Sequence, residues 1–275
     1  MPNTIARTTT LPTAKLPTKS INKPSIKSNK SGTETSDART TAADNVYTKL
    51  RTLLLTGAMQ PKQKLTLRAL AEQFGTSMMP VRDAVRRLTA EGGLQMLPNR
   101  TIVVNAPSAA QFAEIIKIRC ALEGLATENA CRQITPAELH KLRHHAQRFD
   151  KEGHKPRPNP TLLARVNREL HFGVYRAARM PLLLEMIEGL WIQVAPAISS
   201  TLRHATRGIT QWESFDHHNK LIESLTRRDA VRARQAVVAD IRDTGTFILR
   251  SGALEFLGEA PSSAIRNQVR RQHRL

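Results

Sequence analysis

The chain has 275 residues and a formal net charge of +19, from 42 Lys and Arg against 23 Asp and Glu. Hydrophobic residues make up 40% and aromatic residues 4%, so a sizeable core must be built mostly from Leu, Ile, Val and Ala, which favours helices over an all-β sandwich. The positive surplus suggests an anionic partner, either nucleic acid or an anionic membrane surface, yet it is spread along the whole chain and does not locate a binding face.

Residues 1–43 carry 7 positive and 2 negative groups and are rich in Thr, Ser, Lys and Pro. Lys15, Lys19, Lys23 and Lys27 recur every four residues, but Pro12, Pro17 and Pro24 argue against a helix. With almost nothing apolar to bury, the segment reads as a disordered basic tail.

The first ordered region is expected over 44–105. Val46, Leu50, Leu53 and Leu54 have helical spacing, ended by Gly57 and Pro61. Leu67, Leu70 and Phe74 mark a short second helix closed by Gly75. Ser77 then stands as the N-cap of a third, with Pro80 in its first turn, where a missing N–H does no harm. Val81, Val85 and Leu88 form that helix's buried stripe; Arg82 and Arg86 lie on its other side. Leu94–Leu97 and Thr101–Val104 flank the turn Pro98-Asn99-Arg100 and predict a small β-hairpin. This order is that of a winged helix-turn-helix.

Such a fold presents the N-terminal residues of its recognition helix to base edges in double-stranded DNA. Here these are Ser77, Met78, Met79 and Arg82. Arg82 can fork onto guanine and Ser77 can bond a phosphate. Arg68, at the start of the second helix, can reach the DNA backbone, and Asn99 and Arg100, at the wing tip, the minor groove.

From 106 to 252 only helical periodicity remains. Breaks near Ile134-Thr135-Pro136, Pro156–Pro160, Met180-Pro181 and 205–210 give roughly six helices in an all-α bundle. Residues 253–275 turn polar and basic and read as a fraying tail. The fold class is therefore mainly α: an N-terminal winged helix-turn-helix plus a C-terminal all-α helical bundle.

Several polar groups fall on apolar faces of this bundle. Arg119 shares a stripe with Phe112, Ile115, Leu122 and Ala126. A buried charge needs a partner: Glu123, four residues on, or the carboxylate of a ligand. Asn167 and His171 are spaced i,i+4 on a face with Leu163, Leu170 and Val174. His218 sits with Leu221, Ile222 and Leu225, and Asp240 with Val237 and Ile241. If these faces converge they make a site for a divalent metal, zinc, nickel or manganese, with imidazole and carboxylate ligands; otherwise they are hydrogen-bonded core residues. The other histidines (140, 144, 145, 154, 204, 217 and 273) read as surface groups.

Cys120 and Cys131 on one helix would be roughly 16 Å apart, beyond disulfide reach, and free thiols suit a reducing cytoplasm. No apolar run is judged to approach membrane-spanning length, and no apolar signal core is seen at the N-terminus. A cytoplasmic protein without a membrane partner is expected.

The stretch Leu67-Arg68-Ala69-Leu70-Ala71-Glu72-Gln73-Phe74-Gly75-Thr76-Ser77, then Pro80-Val81-Arg82-Asp83-Ala84-Val85-Arg86-Arg87-Leu88 and Pro98-Asn99-Arg100, resembles the N-terminal domain of the GntR family of transcription regulators. The resemblance covers residues 46–104 and implies DNA contacts by Arg68, Ser77 and Arg82. The chain departs from the family at Met78, where Arg is usual, and at Lys62 and Thr101, where Gly is usual. Arg119-Cys120-Ala121-Leu122-Glu123, Asn167-Arg168-Glu169-Leu170-His171 and His218-Asn219-Lys220-Leu221-Ile222 resemble the effector domain of the FadR-like branch, of FCD type. That second resemblance implies a metal held by Asn167, His171, His218 and Asp240, with Asn in place of the frequent Asp and Asp in place of the usual last His. It further implies Arg119 facing the carboxylate of a small organic acid effector.

The expectation is a homodimeric repressor that binds an operator under control of that acid, and not an enzyme. A metal-dependent hydrolase around His171, His218 and Asp240 is the alternative, but no Ser/His/Asp, phosphate-loop or HExxH signature is present and the wing domain would go unexplained. A non-specific architectural DNA-binding protein is a further alternative, which leaves the buried polar groups without purpose.

Overall fold

The computed structural model describes residues 41–204, 214–250 and 254. The expected basic tails lie almost wholly outside these residues, as does the break expected at 205–210. The elements run α1 (Ala42–Leu55), β1 (Lys64–Leu65), α2 (Leu67–Phe74), α3 (Met78–Ala90), β2 (Leu94–Met96), β3 (Ile102–Val104), α4 (Ala109–Gln133), α5 (Pro136–Gly153), α6 (Pro160–Ala177), α7 (Pro181–His204), α8 (Ser214–Thr226) and α9 (Ala230–Arg250).

The helix starts follow local capping chemistry. Thr41 and Asp44, Ser108 and Gln111, and Thr135 and Glu138 form reciprocal capping boxes at α1, α4 and α5. Pro136 and Pro160 occupy the first turns of α5 and α6, where no N–H is needed. Gly75 closes α2 at φ 63°, a left-handed conformation that costs glycine nothing.

The three short strands form one antiparallel sheet in the order β1-β3-β2, with Leu65 opposite Ile102 and Leu94 opposite Val104. Sequence patterning foresees β2 and β3 but not β1, whose two residues are too few to show an alternation. A further break separates α8 from α9, with Arg228 at φ 57°. It carries neither Gly nor Pro, so it leaves no mark in composition.

Leu50, Leu54, Val81, Val85, Leu88, Ile102 and Val104 are fully buried together between α1, α3 and the sheet. In the helical bundle, Phe112, Phe149, Leu170, Phe172, Tyr175, Ile187 and Leu225 are equally buried. One correction concerns α7. Pro181–Arg203 is apolar and long enough to cross a membrane by length and composition, contrary to expectation. More than half of it is buried within the protein, the pattern of a central core helix.

Helix α7 also seats the winged domain. Arg51 Nη2 on α1 bonds Glu188 Oε2 at 2.5 Å, and Arg203 Nη1 donates to the Gly57 carbonyl at 2.9 Å. A Cβ at Gly57 would lie 1.8 Å from Ser199 Oγ, and one at Gly93 2.4 Å from Ile192. Both glycines are therefore required by close approach to α7.

Candidate DNA-reading face and buried polar centre

Helix α3 turns two kinds of surface outward. Val81, Ala84, Val85 and Leu88 pack inward, whereas Met78, Met79, Arg82 and Arg86 are exposed. Ser77 is the N-cap but makes no side-chain capping bond, which leaves its hydroxyl available at the positive end of the helix dipole, an anion-binding position. The wing turn is closed by Leu97 N–H to Thr101 O and Arg100 N–H to Leu97 O, both 2.9 Å. Asn99 Oδ1 accepts from Thr101 N–H at 3.1 Å, and Arg100, at φ 62°, lies exposed at the tip.

The charges divide cleanly. Arg87 pairs with Asp44 at 2.7 Å and covers the Tyr47 ring, which ties α3 to α1. Arg68 pairs with Glu72 at 3.0 Å, both side chains largely exposed. Arg82, Arg86 and Arg100 have no carboxylate partner among the described residues. Three guanidinium groups thus stand free on the two elements that a winged helix-turn-helix offers to DNA.

The buried centre draws on α4, α6, α7, α8 and α9. His171 Nε2 lies 3.1 Å from Asp240 Oδ2 and 3.3 Å from His218 Nε2, and His218 Nε2 lies 3.8 Å from the same oxygen. All three residues are buried. On its other edge, His171 Nδ1 is 2.9 Å from Tyr175 Oη, whose hydroxyl donates to Glu123. Glu123 also accepts from Trp191 Nε1 at 3.1 Å and from Arg119, Nε to Oε1 at 2.6 Å and Nη2 to Oε2 at 3.3 Å. Arg119 stacks its guanidinium 4.5 Å from the Trp191 ring centroid.

This network places one proton. An ionised carboxylate only accepts, so Tyr175 spends its proton on Glu123 and its oxygen accepts from His171 Nδ1–H. The other ring nitrogen, Nε2, faces the Asp240 carboxylate. Burial pushes the Tyr175 hydroxyl well above its ordinary value, and the Glu123 charge adds to this, so the proton stays. Burial lowers His218, against the opposing pull of Asp240. Burial would raise Asp240, but the facing charge and hydrogen bonds of His218 and His171 outweigh it and hold the carboxyl well below its usual range. His171 Nε2 and Asp240 Oδ2 thus stand 3.1 Å apart, a distance that an N–H donated to the carboxylate or a cation held between the two atoms would equally satisfy. Burial likewise disfavours the Arg119 cation, but Glu123 overcompensates.

The residues fit a metal by donor type and spacing. Two of the three separations lie near the edge of a tetrahedral shell with bonds of about 2.0–2.1 Å, roughly 3.3 Å, and the third, 3.8 Å, is longer. Asp240 Oδ1 and His218 Nδ1 are buried without a hydrogen-bond partner. Asn167, one turn before His171 on α6, is half-buried and makes no hydrogen bond to the other three. Of the two readings of Arg119, the geometry supports the pair with Glu123. His217 is corrected: its side chain is only 12% exposed, and its Nε2 is 2.8 Å from Asp243 Oδ2.

Sequence reasoning missed Tyr175 and Trp191. Tyr175 stands at i+4 from His171, on the same helix face, a signal present in the sequence; Trp191 has no such local mark.

A free cationic head on a winged helix-turn-helix, joined to an all-helical domain with an internal polar centre, is the arrangement of a two-domain DNA-binding regulator. The chain belongs to the gntR family of bacterial regulatory proteins. That family's model matches residues 42–104, and the FCD domain matches residues 114–243. The chain is 31% identical over 207 residues to the HTH-type transcriptional regulator McbR of Escherichia coli K12, covering 74% of this chain and 90% of the relative. It is 26% identical over 196 residues to the HTH-type transcriptional regulator YdhC of Bacillus subtilis 168, covering 70% and 84%. The solved structure of E. coli McbR/YncC aligns over 76% of this chain and 98% of its own, at TM-score 0.70 and 26% identity. A GntR regulator structure from Rhodococcus sp. RHA1 shares the fold at TM-score 0.62 and 16% identity. The protein is thus a transcription regulator, as its relatives are, and not an enzyme.

Proposed function

We propose that this regulator is a cytoplasmic homodimer that represses from a two-fold operator and is controlled by a small organic acid bound at a divalent metal. The observation that carries the sensing half is the convergence of three buried ligand atoms, His171 Nε2, His218 Nε2 and Asp240 Oδ2, at 3.1, 3.3 and 3.8 Å from one another. His171, His218 and Asp240 would hold the ion, with Asn167 the nearest further donor on α6. The ion would supply a Lewis-acidic position for a carboxylate. Arg119 adds positive charge to that region while its Nε and Nη2 remain on Glu123. The reading half rests on Arg68, Ser77, Met78, Met79, Arg82, Asn99 and Arg100, all exposed on α2, α3 and the wing.

In this reading the chain divides by function into reading over 44–105, sensing and dimerisation over 106–252, and basic tails at 1–43 and 253–275. Dimerisation is supported by size, since one winged domain offers too little surface for tight specific binding. Ile118 and Leu125, two turns apart on α4, are 40% and 38% exposed and give a second copy an apolar row to cover.

Control needs a path, and α7 supplies it. Its Trp191 bonds Glu123 beside the buried centre, while Glu188, Ile192, Ser199 and Arg203 carry the winged domain. A ligand shifts this arrangement only by its difference in affinity for two states, so effector and operator must alter each other's binding reciprocally.

The test is elemental analysis of protein purified without a histidine tag, beside His218→Ala. Metal in the wild type, none in the variant and retained basal operator binding are expected. No metal in either, with melting temperatures unmoved by zinc, nickel or manganese, would leave these residues as a hydrogen-bonded core.

A further inference from the structure

We propose that Met78 and Met79 read the 5-methyl groups of thymines flanking the base read by Arg82, so that each half-site carries thymine on the recognition-helix side. The proposal rests on the assignment of α3 as the recognition helix.

Between residues 41 and 105 the exposed large apolar side chains are Met78, Met79 and Met96, among the described residues. Met78 is 51% and Met79 63% exposed. Both stand in the first turn of α3, one turn before Arg82, which is exposed and without an ion-pair partner. The core beneath them is already closed by Val81, Ala84 and Val85, each fully buried. Neither methionine is therefore needed for packing, and both leave apolar surface in water on the face that meets the partner.

The chemistry of the groove selects what they touch. A thioether donates no hydrogen bond and is a weak acceptor. It is flexible, polarizable and apolar. In the major groove the thymine methyl is the one bulky apolar group that a base edge offers. An arginine at position 78 would seek guanine or phosphate; a methionine there gains only by burying a methyl. Such contacts involve no counterion release, so they add sequence preference without adding salt dependence.

The experiment uses the full chain. An operator is first selected from a random duplex pool. Each thymine of one half-site is then replaced singly by deoxyuridine, which deletes the methyl and leaves Watson–Crick pairing intact. Affinities of wild type, Met78→Ala and Met79→Ala are measured by fluorescence anisotropy at one salt concentration. Deoxyuridine at one or two positions should weaken the wild type about fourfold per methyl. The same replacement should have no effect on the variant lacking the matching methionine. Melting curves of the variants should coincide with that of the wild type, because both side chains are exposed. Wild-type binding that is indifferent to deoxyuridine at every position would overturn the proposal, as would equal losses in wild type and both variants. Failure to select any operator would overturn the recognition-helix assignment and this proposal with it, and it would show before any deoxyuridine is introduced.

Discussion

Arg82 and Arg119 are the same residue in opposite circumstances. Arg82 stands on the outward face of α3, exposed and without a carboxylate among the described residues. Arg119 is 3% exposed and meets Glu123 through two nitrogens, with Trp191 against its face. The first spends little in water and can exchange its hydration for a phosphate or a guanine. The second has no water to return to, so its charge is bound into the core and serves to hold Glu123, and through it Tyr175 and His171. A positive surplus does not identify a binding surface; exposed cations gathered on one element do so better.

The contrast breaks most visibly at Glu123. Glu123→Gln removes the charge facing Arg119 and leaves one acceptor oxygen where Arg119, Tyr175 and Trp191 use two, and should destabilise the fold by about 3–5 kcal/mol, the cost of an uncompensated buried ion. Denaturant unfolding reads this directly, and the double variant Arg119→Met with Glu123→Gln should regain part of the loss. If Glu123→Gln unfolds like the wild type, the pair is not what anchors the centre.

Zinc, nickel or manganese at a hundredfold excess over the dissociation constant should stabilise the wild type by about 2.7 kcal/mol. His218→Ala should melt at one temperature with or without the ion. A metal-dependent shift that survives in His218→Ala would move the site elsewhere.

Arg82→Ala should cost about 1–3 kcal/mol of operator affinity and relax base preference at one position, while unfolding stays within about 0.5 kcal/mol of the wild type. Equal affinities at matched salt would remove Arg82 from the reading set.

The smallest effect is expected from the N-terminal tail. Its 7 positive groups lie in the segment that composition predicts to be disordered, outside the described residues, and a chain of that composition is expected to neutralise phosphates and not to read bases. Deleting residues 1–40 should lower the salt dependence of binding by about 0.9 in slope for each phosphate that is no longer neutralised and leave the selected sequence unchanged. A new preferred sequence would show that the tail reads bases.

Most of the winged domain is legible in the sequence because its signals are local. The stripe of Val81, Val85 and Leu88, the cap position of Ser77 and the left-handed Gly75 each follow from spacing or from backbone geometry. Strand β1 is not legible, since Lys64–Leu65 becomes a strand only by pairing with β3. The turn at Arg228 is missed for a related reason: its backbone is held by tertiary contacts, with its guanidinium donating to the carbonyls of Cys131 and Ile134 at 3.0 and 2.6 Å. His217 looks like a surface group because Asp243, its partner, lies on another helix.

The sequence by itself determined the order of elements, the reading helix and the presence of polar groups on apolar helix faces, because periodicities of 3.6 and 2 and capping residues act over a few positions. Only the tertiary structure decided which of those polar groups meet. It placed His171, His218 and Asp240 in mutual reach and gave Arg119 to Glu123. It also brought Trp191 from α7 and Tyr175 from α6 onto the same carboxylate. Helical spacing fixes the side of a helix on which a residue lies, whereas the packing of α4, α6, α7, α8 and α9 fixes what stands opposite, and buried charges are satisfied across that gap.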